Sequence, residues 1–332
     1  MRLLKVTYLI ATVLMLASGC SSKVDVQKEQ VELTLQAFST VRTKGYVEST
    51  TLYETAPTHL HDASGTSPRS IHLTSWLYPQ SGNDGEYFRD QVFTKSTDDL
   101  WHRGVPVYWP MEGRLDMMAY SSTVSFPESA VGYSNGTTTD ELLLAIDRTY
   151  TQDDVLFSWV GSVTNGGGLS PTVPMLFKHA QAWIEFVFHC KNASFNNIIR
   201  VNQVVLTDIY TQGILHVTHP YDEAEAEWDF RFATRLDTVV DDNNGIYTTG
   251  VTTARTYLDM LIPEQPVKDI ILYYNMEGGD PEMRYRYTMS GHHWEMGKKY
   301  VYDITFSPTA IEVDLSVTDW DSQTPAGIDV PE

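Results

Sequence analysis

The chain has 332 residues, with 23 Lys and Arg against 43 Asp and Glu, a formal net charge of −20. A field of that sign repels nucleic acid and anionic lipid headgroups, so neither is expected as a partner. Aromatic residues make up 12%, with 19 Tyr and 8 Trp, a balance that suits β-sheets better than helices.

The N-terminus reads as an export signal. Arg2 and Lys5 precede the apolar run Val6–Ala17, and small residues follow up to Cys20. Twelve residues at ~1.5 Å each cannot cross a hydrocarbon core of ~30 Å. The segment Ala17-Ser18-Gly19-Cys20 resembles the bacterial lipobox, which makes Cys20 the lipidation site, acylated by diacylglycerol and palmitate-type chains. An ordinary secreted protein and an uncleaved anchor are the plainer alternatives. Removing residues 1–19 leaves 21 basic against 43 acidic residues, net −22. With Cys20 acylated, Cys190 has no intrachain partner, so no disulfide is expected.

Residues 21–30 read as a polar tether. From Val31 the pattern alternates, with Val31, Leu33, Leu35 and Ala37 on one face and Glu32, Thr34 and Gln36 on the other, which predicts a half-buried strand. A polar stretch around Arg42 and Lys44 follows. Strands are predicted over Ile71–Tyr78, Val105–Trp109, Leu115–Ser121 and Val155–Val163. One short helix is predicted between them, from the capping-box spacing of Thr138 and Glu141 and the body Leu142–Ile146. The Gly-rich run 165–171 marks a domain boundary.

Beyond it, Ala180, Ala182, Ile184, Phe186, Phe188 and Cys190 fall on one face of a strand, and His179, Gln181, Glu185 and His189 on the other. Further strands are expected over Ile198–Tyr210, Ile214–Val217, Trp228–Phe232, Tyr257–Ile262, Asp269–Asn275, Arg284–Met289, Lys299–Ser307 and Ile311–Val317. Asn244-Gly245 predicts a tight hairpin turn, and Gly278-Gly279 a second turn. Many short strands with one small helix predict an all-β protein of two stacked sandwich domains, residues 43–170 and 171–332. Ahead of them lie the signal, 1–19, and the tether with first strand, 20–42.

Several segments together resemble the fimbrillin family, the subunits of lipoprotein-derived fimbriae of Gram-negative anaerobes. They are Val107-Tyr108-Trp109-Pro110, Gly113-Arg114-Leu115-Asp116, Asp140–Ala145, Leu176–Ala182, Trp294–Tyr302 and Val317-Thr318-Asp319-Trp320. The resemblance implies two transthyretin-like β-sandwich domains, no catalytic activity, no cofactor and a place in the outer membrane and fimbrium. It also implies that a protease trims an N-terminal strand and that another subunit's strand fills the groove, a form of β-augmentation. On that scheme Val31–Ser39 is the strand removed and Arg42 the processing site, with Lys44 the second choice. The plainer alternative is a permanent first strand. The tail after Trp320 contains two prolines and a glycine and makes a poor donor strand, which favours a tip or accessory subunit acting in adhesion. Expected partners are other fimbrial subunits, with host or bacterial glycans or proteins as ligands. The alternative function is a monomeric outer-membrane lipoprotein that binds glycans.

Other constellations have simpler explanations. Gly132-Tyr133-Ser134-Asn135-Gly136 matches the hydrolase elbow, but that chemistry needs a strand-to-helix turn in a parallel sheet, and a Gly-rich loop explains it with less. The pairs His59/His61, His216/His219 and His292/His293 lack metal-site spacing, and His179 reads as a hydrogen-bonded sheet residue. Asp241–Gly245 has the composition of a calcium loop but the wrong register, so no metal is expected. Glu223, Glu225 and Glu227 read as a solvated edge that resists unwanted pairing. Trp76, Trp101 and Trp159 are the aromatics that could stack on sugars, although most such rings belong to cores.

Overall fold

The computed structural model of the chain describes residues 31–43, 46–51, 55–56, 67–68, 70–98, 100–122, 131–135, 140–147, 154–165, 172–192, 198–218, 225–240, 246–247, 249–250, 257–276, 281–289, 291–307 and 309–320. All regular structure among them is β. The first twelve strands are β1 (Thr34–Thr43), β2 (Tyr46–Thr51), β3 (Thr55–Ala56), β4 (Ser67–Pro68), β5 (Ser70–Tyr78), β6 (Gly85–Lys95), β7 (Trp101–Arg103), β8 (Arg114–Ser122), β9 (Val131–Asn135), β10 (Asp140–Asp147), β11 (Leu156–Val163) and β12 (Thr172–His179). Then come β13 (Ala182–Cys190), β14 (Ile199–Ile209), β15 (Gln212–Thr218), β16 (Glu225–Asp229), β17 (Leu236–Val239), β18 (Ile246–Tyr247), β19 (Thr249–Gly250), β20 (Tyr257–Ile262), β21 (Gln265–Pro266), β22 (Asp269–Met276), β23 (Met283–Thr288), β24 (His293–Trp294), β25 (Lys298–Phe306) and β26 (Ile311–Asp319).

The largest sheet runs β12-β11-β8-β5-β6-β7-β1-β2, and β12 also pairs with β1. Seven of its strands therefore close into a ring, with β2 hanging from β1. Alternation sends one set of side chains inside: Ile71 and Leu73, Phe93, Trp101, Leu115 and Met117, Leu156, and Val173, Met175 and Phe177, each at most 1% exposed. The opposite face, through Trp76, Met118, Tyr120 and Phe157, packs on a second sheet ordered β16-β15-β10-β9. That sheet draws strands from both sides of residues 165–171, because β15 pairs with β10 along seven residues.

Two further sheets form the remaining sandwich. In one, β13 lies between β25 on one side and β20 and β19 on the other, with β26 beyond β25; the other runs β17-β14-β22-β23, with β18 also on β14. Their shared core includes Ile184, Phe186, Phe188, Leu206, Leu272 and Tyr302. Trp294 Nε1 donates to the Tyr302 hydroxyl over 2.9 Å, and burial pushes that phenol's pKa far up.

Four expectations change. The predicted helix at 142–146 is strand β10. Leu142, Leu144 and Ile146 are buried while Ala145 is exposed, a period of two. Ladders to β9 and β15 outweigh a helix preference of only tenths of a kcal/mol per residue. Among residues 105–109, only Tyr108 makes a bridge, to Glu32. The true strands nearby are β6 and β7, whose outward faces carry charge. The strand pairing expected across Asn244-Gly245 is not seen among the described residues, where β17 and β18 both pair with β14 and not with each other. The turn residues 241–245, like 278–279, lie outside the described residues.

The last change concerns β13. Its polar face is buried, with Glu185 1% exposed and Val187 fully covered. Lys299 Nζ lies 2.7 Å from Glu185 Oε2 and 3.6 Å from the centre of the Trp183 ring. A charge can be buried there because its counter-charge and an aromatic face are buried with it.

Candidate functional site

The first strand supplies the geometry of most consequence. Leu33, Leu35 and Ala37 point into the ring and are at most 1% exposed, whereas Gln36 faces solvent. The apolar side of the alternation read from the sequence is the inside, but of its polar side only Gln36 is exposed: Thr34 is buried and Glu32 half-buried. Leu35 stands beside Trp101 of β7 and Val173 of β12, and Ala37 beside Met175. Burying two Leu side chains contributes ~1.5–3 kcal/mol each.

The bonding of β1 is uneven. Along β12 it pairs in parallel over six residues, Thr34–Ser39 with Thr172–Phe177. On the opposite side it meets β7 at one register pair, Leu35 with Trp101; its start is tied by the Glu32–Tyr108 bridge and the Leu33 amide donating to the Val107 carbonyl over 2.7 Å, and its end pairs with β2. A strand parallel to its neighbour cannot come from a tight hairpin; it arrives from elsewhere in the chain. Here it comes from the N-terminal end and fills the interval between β7 and β12.

Polar contacts pin its start. His102 on β7 pairs with Glu32 over 3.2 Å through Nδ1 and with Asp98 over 2.9 Å through Nε2. Burial pulls the His102 pKa down, but the bonds to Glu32 and Asp98 outweigh it and raise the pKa above 6.5. The Thr34 and Thr172 hydroxyls lie 3.0 Å apart and share a hydrogen bond.

Arg42 lies inside β1, its backbone paired with Val47 of β2 close to the hairpin end, because the strand runs on to Thr43 instead of stopping at Ser39. Cys20, Lys44, Glu223 and His59, His61 and His219 lie outside the described residues. Cys190 is buried, and its thiol donates to the Asn192 carbonyl.

The other candidate residues settle into structural positions. Ser134 sits within β9, opposite Glu141 on an antiparallel neighbour; it is neither on an elbow nor in a loop. His216 of β15 accompanies Glu141 at 2.5 Å and Asp229 at 3.5 Å. No group of three or more His, Cys, Asp or Glu among the described residues is placed to hold a metal ion. His179 bonds Asp154 over 2.7 Å and stacks flat on Trp320, ring centres 4.1 Å apart. Trp76 and Trp101 are core residues and offer no ring to a sugar; Trp159 is half-buried and stacks on Trp76. Sequence reasoning missed the buried Lys299–Glu185 pair: alternation puts Glu185 on the strand's polar face and says nothing of what covers it.

A protein whose first strand closes an all-β ring next to a β-sandwich defines a class, and comparison identifies it. The fimbrillin-like family model matches residues 61–320, and the chain belongs to that family. Comparison with curated proteins gives no match. Among solved structures, a Bacteroides uniformis protein described as a cell adhesion candidate superposes with a TM-score of 0.53 at 15% identity, covering 87% of this chain and 99% of that one. A Bacteroides ovatus protein described in the same way gives 0.53 at 15%, covering 89% and 99%. At that identity the likeness is one of fold.

Proposed function

We propose that this fimbrillin-like protein is a subunit of a surface fimbrium and that β1 is a removable placeholder within it. The observation that carries the reading is the uneven seat of β1. It fills the ring interior with three apolar residues, yet on the side away from β12 it meets the rest of the ring only at one register pair with β7 and the Glu32–Tyr108 bridge, its remaining pairing there being with its own hairpin partner β2. Cleavage after Arg42, with Lys44 as the second choice, separates β1 from β2. It leaves an interval lined by Trp101, Val173, Met175 and Phe177 with unpaired backbone groups along β12. An extended strand from another subunit then restores both the ladder and the core.

Acylation at Cys20 carries the precursor to the outer membrane and is lost with the trimmed segment. The Pro- and Gly-containing tail after Trp320 suits a subunit that accepts a strand without donating one, hence a tip or accessory position with an adhesive and non-catalytic role. The test is an Arg42→Ala, Lys44→Ala double variant in cells that make the protein. Loss of incorporation into filaments, with surface delivery retained, is the expected result. Undiminished incorporation overturns the reading.

A further inference from the structure

Two sheet edges of this chain match each other in charge and in pattern. Strand β16 is the outer strand of its sheet and β23 the outer strand of another; among the described residues neither has a second neighbour. On β16, Glu225 and Glu227 are exposed on the outward face, with Ala226 and Trp228 turned inward. On β23, Arg284 and Arg286 are exposed on the outward face, with Tyr285 and Tyr287 turned inward. Both edges therefore repeat charge every second residue, with opposite signs.

Side-chain pairing within the chain leaves most of that charge available. Asp229 is committed to Arg231, 2.6 Å away, which holds its pKa down to about 2. Glu225 and Glu227 have no cation beside them among the described residues. Arg286 reaches Asp269 only at 3.8 Å, and Arg284 lies 5.9 Å from the Tyr273 ring centre. A groove of about 720 Å³ lies over the outward face of this sheet, lined by Glu225, Glu227 and Asp229 of β16, His216 and Thr218 of β15 and Glu141 of β10, so the carboxylates of β16 face open space.

We infer that β16 of one copy pairs with β23 of a second copy, extending the sheet across the two molecules. Parallel or antiparallel, this register sets two carboxylates opposite the two guanidiniums on one face and places the Ala226/Trp228 side against Tyr285 and Tyr287 on the other. The same charges oppose β16–β16 and β23–β23 contacts, so the edge protection read from the sequence is selective instead of general. The contact joins different surfaces of the two copies, so it repeats from copy to copy and does not close a dimer. It goes beyond the proposed strand exchange and does not depend on processing of β1.

The test is sedimentation of the full chain at rising concentration in low and high salt. Concentration-dependent, salt-sensitive association is expected. Glu225→Lys/Glu227→Lys in one variant, and Arg284→Glu/Arg286→Glu in another, each weaken association roughly tenfold or more. Mixing the two variants, or combining all four changes in one chain, restores it. A chain that stays monomeric, or association that survives either pair of reversals, overturns the inference. Arg42 variants leave this association unchanged, which separates it from strand exchange.

Discussion

The ring and the sandwich each join an early strand to a late one in parallel, but they secure it differently. In the sandwich, β13 pairs with β25 over eight residues and with β20 over six on its other side. Both its faces are buried, and the Lys299–Glu185 pair links it to β25. In the ring, β1 pairs with β12 over six residues, with β7 at one and with its hairpin partner β2 over six, and exposed Gln36 marks its outward face. One arrangement builds a permanent centre. The other seats a strand by burial and ties it to the ring mainly through β12, with β2 completing its outer side, an arrangement that suits the replaceable strand proposed above.

The contrast can be broken most severely at the buried pair. Glu185→Ala leaves an ammonium buried without its counter-charge and is expected to cost about 3–5 kcal/mol in denaturant unfolding. Glu185→Leu with Lys299→Met is expected to recover most of that loss, since volume is kept and no charge is stranded. Leu35→Ala, in the ring, is expected to cost about 2–3 kcal/mol, near the low end for a buried Leu because β1 meets β7 at a single register pair and can shift there to close the cavity. Hydrogen exchange sharpens the same contrast without mutation: amides of β1 are expected to exchange faster than those of β13.

The smallest effect concerns His102. Its pKa is raised in the fold above the ordinary 6.5, so its contribution is fully present below pH 6.5 and is lost as pH rises through the raised value. With a partly exposed pair the size is under about 1 kcal/mol. Protection of the Leu33 amide is expected to fall across that window, and His102→Gln is expected to flatten the dependence.

The strands legible in the sequence are those with one apolar and one polar face, such as the start of β1 and the body of β26. Their alternation is a local property of the chain. β6 escaped because only Phe93 among its residues is fully buried, so its pattern is diluted by charge. Strand β10 was read as a helix because Leu and Ala favour helices, and the ladders that override them come from residues tens of positions away. The site was legible only in part. Leu33, Leu35 and Ala37 could be assigned to one face, but nothing local says that this face closes a ring beside β12, some 138 positions downstream. Buried Glu185 was illegible for the same reason: its cover, Lys299, is distant in sequence.

The central claim is that β1 is released from a protein otherwise built to stay together, and N-terminal sequencing of the protein recovered from cell-surface filaments tests it directly. The account predicts a start at Thr43, or at Gly45 if Lys44 is used. A start at acylated Cys20 throughout the filament fraction, with β1 still attached, contradicts it.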